Sequence, residues 1–156
     1  MYQELIPKGV KVPNGFAITT SAYWDVLDNS NLVGPIGDAI KNLDIEDVSA
    51  LSVSASRVRE LIFNAPLPGT LREEICNAYR QLVEEYGSEL SVAIRSSATA
   101  EDLPNASFAG QHDTFLNVRS EHDLLEAYRK CLASLFTERA IVYRVNNGFD
   151  HFQVGL

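Results

Sequence analysis

The sequence predicts an α+β fold in which helices dominate and wrap a small sheet, and three observations carry that reading. Apolar residues recur at helical spacing through most of the chain. Two short stretches alternate apolar and polar residues with the period of a strand. A long run of small and polar residues joins those two stretches. The composition suits such a fold: 156 residues, 46% of them hydrophobic and 22% charged, make one domain's worth of chain with enough material for an ordinary core. Residues 1–156 are therefore read as a single domain.

Val10 to Thr19 (VKVPNGFAIT) reads as an extended segment with a turn at Pro13-Asn14-Gly15 and a short strand ending in Thr19-Thr20. Either threonine can cap the helix that follows, SAYWDVLDN, which Asn29 ends. Gly34-Pro35 breaks the chain, and a short helix is expected from Ile36 to Leu43. From Val48, Leu51, Ala55, Val58, Leu61, Ile62 and Ala65 fall on one helical face, with Arg57, Arg59 and Glu60 on the other. Pro66 and Pro68 end that helix. Thr70 and Glu73 form a T-x-x-E capping box for a helix that runs through Tyr86 and closes at Gly87. Its stripe is Leu71, Ile75, Ala78, Tyr79, Leu82 and Tyr86. Together these two helices read as an antiparallel hairpin with its aromatics in the core.

LSVAIRSS then alternates as a strand, with Leu90, Val92 and Ile94 on one face and Ser91, Ala93 and Arg95 on the other. Beyond the long run, DTFLNV is the second strand. Ser120 caps a helix whose apolar side is Leu124, Leu125, Tyr128, Cys131 and Leu132, and Thr137 to Asn147 forms a last helix stopped by Gly148. The chain opens a few residues before a strand and stops on the apolar run HFQVGL, so both ends read as cut from something longer.

Charge and composition exclude several functions. The formal net charge is −8, from 21 acidic against 13 basic residues, and Lys and Arg form no stripe that would track a nucleic acid. A small anion held by one or two local cations remains compatible with that balance, because such a site depends on local geometry. No apolar run approaches the roughly 20 residues of a membrane span, and residues 1–12 lack the apolar centre of a signal peptide. Cys76 and Cys131 stand far apart in helical patterns, as expected of two buried thiols in a reducing cytoplasm.

The long run between the strands is the place to look for function. Hairpin loops usually hold two to five residues, and roughly a dozen is an outlier. Between Ser96 and His112 stand Ser96, Ser97, Thr99, Asn105 and Ser107, with Ala109-Gly110 as a hinge. Hydroxyls and exposed backbone N–H groups are what a phosphate needs around it, and glycine lets the backbone come close. Arg95 sits at the mouth, where its guanidinium can grip two phosphate oxygens at once. Phe108 is expected to plug into the core and pin the loop's tip. The residues alone leave two readings open: a phosphate cradle, or a structural loop in which Arg95 pairs with Asp102 or Glu101. The run matches neither G-x-x-x-x-G-K-[ST] nor G-x-G-x-x-G. The acid pairs Glu101-Asp102 and Glu84-Glu85 read as surface charge, and His122, in the first turn of a helix, as a solvated side chain.

VAIRSSATAEDLPNASFAGQHDTFLNV, with ASLFTERAIVYRVNNGFDH downstream and VKVPNGFAITTSAYW upstream, resembles the N-terminal ATP-grasp, nucleotide-binding domain of the pyruvate phosphate dikinase family. The resemblance runs over nearly the whole chain in three blocks, and the tail YRVNNGFDH fits best the branch whose acceptors are pyruvate and water. It implies a helix-rich part of an ATP-grasp domain with a small sheet and a long phosphate-binding loop. It further implies that the β-phosphate of ATP passes to a histidine on a separate mobile domain and then to pyruvate in a barrel, giving phosphoenolpyruvate, AMP and phosphate. Arg95 takes the family's phosphate-gripping position. Ala109, Gly110 and Gln111 take the loop that closes over the phosphates, with Ser96, Thr99 and Thr114 orienting the loop or touching phosphate oxygens.

Departures from the family pattern limit what this stretch does alone. The glycine-rich segment with its phosphate-binding lysine is absent, and nothing around Lys8 or Lys11 matches it. The adenine pocket, the acidic Mg²⁺ ligands, the carrier histidine and the pyruvate barrel are all expected outside these residues. His112, His122 and His151 are accordingly not the carrier, and the isolated chain is expected to be inactive. Rifampicin phosphotransferase and pyruvate phosphate dikinase, which share the domain, and a non-catalytic docking module are the competing readings.

Overall fold

In the computed structural model, which describes residues 7, 9, 12–97, 102, 103, 106, 107, 113–152 and 155, a helical body packs on one face of a two-stranded sheet, and a second short two-stranded sheet lies within the long loop. The elements are α1 (Thr20–Asn29), α2 (Val33–Ile40), α3 (Val48–Phe63), α4 (Gly69–Tyr86), β1 (Val92–Arg95), β2 (Asp102–Leu103), β3 (Ala106–Ser107), β4 (Thr114–Val118), α5 (Glu121–Ser134) and α6 (Glu138–Asn146). Three side chains start helices by accepting an otherwise orphaned backbone N–H: Asp47 from Ala50, Ser120 from Asp123 and Thr137 from Ala140. Gly87 (φ 93°) closes α4, and Gly148 (φ 69°) closes α6 in the left-handed backbone that favours glycine.

Four expectations need correction. Residues 12–19 form no strand; Asn14 instead ties this segment to the end of α4, its backbone N–H donating to Tyr86 Oη (3.0 Å) and its Nδ2 to Glu85 Oε2 (2.7 Å). α2 starts at Val33 rather than Ile36, because Pro35 falls in the first turn, where a missing N–H costs no helical bond. No capping box forms at Thr70, since Pro68 takes the N-cap position and leaves Thr70 already inside α4. Finally, α3 and α4 do not form a closely packed hairpin: α5 lies against both and carries the packing between them.

α5 is therefore the centre of the molecule. Leu124, Tyr128, Leu132 and Leu135 join Tyr23, Leu27, Ile36, Val58, Ile62, Phe136 and Ile141 in one buried cluster. Two ion pairs lie across its ends. Arg80 of α4 grips Glu121 with two bonds (2.7 and 3.0 Å), and Arg59 of α3 reaches Glu138 (3.1 Å) and the Phe136 carbonyl (3.2 Å).

The sheet rests on α5. β1 and β4 run antiparallel, with Ile94 opposite Phe115, Arg95 opposite Thr114 and Val92 opposite Val118. Between these pairs β4 carries one residue more than β1, a bulge at which Asn117 takes a left-handed backbone (φ 59°). The bulge has a clear purpose. Phe115 and Val118 are three apart, so a regular strand would turn them to opposite faces; the extra residue turns both inward and leaves Leu116 67% exposed. Asparagine tolerates that conformation, and a β-branched residue does not. Asn117→Val is expected to cost about 1–2 kcal/mol in urea unfolding, with Asn117→Gly close to neutral.

Gly148 also turns the chain back on itself. The Phe149 N–H donates to the Arg144 carbonyl (2.9 Å) and Gly148 to Val145 (3.1 Å), two bonds that reverse the backbone after α6. His151 thereby reaches the buried Arg144, whose Nε donates to His151 Nδ1 (3.0 Å), and Gly155 packs on Thr20, Tyr23 and Trp24 of α1. Burial, then the neighbouring Arg144 charge, push the His151 pKa down to about 4. Its folded value thus lies below the ordinary 6.5, so unfolding takes up a proton as pH falls from about 6.5 towards 4. Stability should be flat above that window and fall through it by about 1–2 kcal/mol, allowing for partial solvent screening. Urea midpoints at pH 7 and pH 4.5, with His151→Leu removing the difference, check this.

Candidate phosphate-binding site

Alternation decides which side chains are offered to a ligand. β1 lays Val92 and Ile94 towards α5, so Ala93 and Arg95 face out. Across the ladder, Phe115 goes inward with Ile94, and Thr114 goes outward beside Arg95. A guanidinium and a hydroxyl thus stand as exposed cross-strand neighbours at the point where the long loop leaves β1 and rejoins β4. Arg95 makes no ion pair or side-chain hydrogen bond among the described residues. The acids of the alternative pairing, Glu101 and the side chain of Asp102, lie outside the described residues. Ser96, next along, is half-buried, and its Oγ is shielded from water with no hydrogen-bond partner among the described residues.

Within the long loop β2 and β3 pair antiparallel, Asp102 opposite Ser107 and Leu103 opposite Ala106. Thr99, Ala109, Gly110 and Gln111 lie outside the described residues, as do Phe108 and His112. Of the expected site residues, the structure places Arg95, Ser96 and Thr114 together at one end of the sheet.

A groove of about 350 Å³ opens on the inner side of β4, lined by Arg59, Asp113, Phe115, Lys130 and Ser134. Arg139 lies 3.7 Å from Asp113, the residue just before Thr114. Lys130 of α5 was missed in the sequence. It stands 5.9 Å from the Phe115 ring centroid and pairs with Glu126 one turn earlier, holding that carboxyl below its usual range. The E-x-x-x-K spacing was the available signal, although nothing in it points towards β4. A larger groove of about 610 Å³, bounded by Phe63, Leu67, Arg72, Glu121, Leu125 and Arg129, includes none of the strand residues.

Other candidates separate from the site. His122 is 83% exposed and touches Asp123 at 3.5 Å, the solvated side chain that its position implied. Burial pushes the Cys131 thiol up to about 12 and raises Cys76 as well, so both are protonated thiols in the core. Among the described residues no group of three or more His, Cys, Asp or Glu side chains is placed to hold a metal ion, and no helix is long and apolar enough to cross a membrane.

Residues 2–156 match the family described as the pyruvate phosphate dikinase, AMP/ATP-binding domain. Phosphoenolpyruvate synthase of Helicobacter pylori is 50% identical over 157 residues, covering 100% of this chain and 19% of that protein. The Synechocystis phosphoenolpyruvate synthase is 48% identical over 161 residues, covering 100% of this chain and 20% of the relative. A probable phosphoenolpyruvate synthase of Methanocaldococcus jannaschii is 45% identical over 154 residues, covering 98% and 13%. The chain spans about a fifth or less of the length of these curated relatives.

Proposed function

We propose, since the chain belongs to the pyruvate phosphate dikinase AMP/ATP-binding family, that residues 1–156 are part of an N-terminal ATP-grasp domain and form the ATP-binding part of a phosphoenolpyruvate synthase. The whole enzyme would convert ATP, pyruvate and water to phosphoenolpyruvate, AMP and phosphate in the cytoplasm. The observation that carries the reading at the level of residues is the Arg95–Thr114 pair: an exposed guanidinium, in no ion pair among the described residues, beside a hydroxyl at the root of the loop.

In this reading Arg95 forks onto two phosphate oxygens of ATP, and Ser96 and Thr114 supply hydroxyl donors at the same edge. Thr99 and the backbone of Ala109, Gly110 and Gln111 close over the phosphates from the loop. Phosphoryl transfer asks the protein for positioning and charge neutralisation more than for covalent chemistry, and these are the groups that provide both. Mg²⁺ would neutralise further phosphate charge when bound, on acidic ligands outside this stretch. The phosphate acceptor is a histidine on another domain of the full-length protein, and the acceptor after that is pyruvate.

The test uses the full-length protein and ATP labelled at either the β- or the γ-phosphorus. Label from the β-position is expected on a histidine, moving to phosphoenolpyruvate when pyruvate is added, with AMP as the nucleotide product. The 156-residue chain alone should make none. Transfer of γ-label to the histidine with ADP as the product, or pyruvate-dependent AMP formation by the isolated chain, would overturn the proposal.

A further inference from the structure

We propose that the groove of about 610 Å³ between α3, α4 and α5 is a binding site for a small phosphate monoester with an apolar body, whose charge is met by Arg72 and Arg129. Three segments meet there. Phe63 ends α3, Pro66 and Leu67 belong to the connector into α4, and the first turns of α5 form the facing wall. On α5 the lining residues recur at helical spacing: Glu121, Leu125 and Arg129 lie four apart, with His122 and Glu126 beside them. One face of that helix is therefore turned to the groove. No residue of the sheet lines it, so the site is separate from the Arg95 edge and does not rest on the function proposed above. Its volume lies in the range of roughly 300–1,000 Å³ that small-molecule sites occupy.

Charge selects the ligand. The two acids of the groove are already engaged by bases that do not line it. Glu121 accepts from Arg80 at 2.7 and 3.0 Å, and Glu126 pairs with Lys130; each contact holds its carboxyl below the usual range, so both stay ionised and neutralised. His122 rests against Asp123 at 3.5 Å. The two arginines have no such partners. Neither makes an ion pair among the described residues, and Arg72 acts on Glu121 only from beyond ion-pair distance. Arg129 is half-buried, and its Nε is shielded from water with no acceptor among the described residues. An unpaired donor and a partly desolvated charge both cost free energy until an acceptor of opposite charge arrives. Two unbalanced positive charges thus share one groove in a chain whose net charge is −8. A phosphate monoester, close to a dianion above its second pKa of about 6, matches them, and its oxygens suit the guanidinium fork. The rest of the lining asks for hydrocarbon. Leu125 is buried and Phe63 and Leu67 are half-buried, so an apolar body laid against them leaves water.

The test is an NMR titration of the isotope-labelled 156-residue chain with phenyl phosphate, read at the arginine Nε–H groups and the Leu67 and Leu125 methyls. Those signals should shift together along one saturating curve. Inorganic phosphate carries the head alone and benzyl alcohol the body alone, and each should bind at least about tenfold more weakly. Arg72→Gln, at an exposed position, removes one charge-assisted contact and should weaken phenyl phosphate binding about tenfold. Arg95→Ala should leave the curve at Arg129 and Leu125 unchanged, which keeps this site distinct from the edge of the sheet. In crystals of the full-length protein, phenyl phosphate should lie in the groove. The inference fails if these signals do not move, if inorganic phosphate binds as tightly as phenyl phosphate, or if Arg72→Gln keeps the wild-type curve. It fails equally if a segment of the longer polypeptide fills the groove in the crystal.

Discussion

Arg95→Ala in the full-length protein is expected to slow phosphorylation of the carrier histidine by ATP by about two to three orders of magnitude. Arg95 is exposed, and its outward position follows from the inward packing of Val92 and Ile94 on α5, so the substitution removes no core contact. What it removes is a fork able to hold two phosphate oxygens while charge shifts between them. A charge-assisted contact made mainly in the transition state is worth roughly 3–4 kcal/mol, which corresponds to that loss in rate. Lysine restores charge without the planar fork, so Arg95→Lys should recover only part of the activity. Rapid-quench measurement of phosphohistidine against time reads both variants. Unfolding curves should match the wild type, because no described residue relies on Arg95 for an ion pair.

Phe136→Ala should have the largest effect on stability, about 3–5 kcal/mol. Phe136 is 0% exposed in the turn between α5 and α6, its carbonyl accepts from Arg59, and its ring lies under the Arg144 guanidinium. The truncation opens a cavity at the centre of the buried cluster and strips a buried cation of one neighbour at the same time. Native domains are commonly stable by only 5–15 kcal/mol, so the variant should be partly unfolded at physiological temperature. Phe136→Leu, which keeps most of the volume but not the ring face, should lose clearly less. Urea denaturation of the chain in each form provides the comparison.

What could be read in advance was local. Ser120, Gly87 and Gly148 act where the sequence placed them, because a cap depends on residues within one turn. The outward position of Arg95 was legible for the same reason: alternation over LSVAIRSS is a property of one strand. The misses come from interactions between distant segments. Nothing within DTFLNV announces that Phe115 and Val118 must face one way, since the demand comes from α5 and is met by the bulge at Asn117. The helical hairpin of α3 and α4 looked self-sufficient until α5, remote in sequence, proved to carry the packing of both. Thr70 and Glu73 had the capping spacing, and Pro68 took the position first. Arg144 was overlooked although it follows Ala140 and Ile141 on the apolar stripe of α6, a spacing that marks a charge facing the core.

The central claim is that the edge formed by Arg95 and Thr114 holds the phosphates of ATP, and the most direct measurement splits the reaction of the full-length Arg95→Ala protein in two. One arm follows histidine phosphorylation from ATP; the other starts from phosphoenzyme already formed by running the reaction backwards from phosphoenolpyruvate, and follows transfer to pyruvate. The prediction is a first half slowed by two to three orders of magnitude and a second half within about twofold of the wild type, because a loss of roughly 3–4 kcal/mol is confined to the step in which ATP is bound. Equal slowing of both halves, or a normal first half, would contradict it.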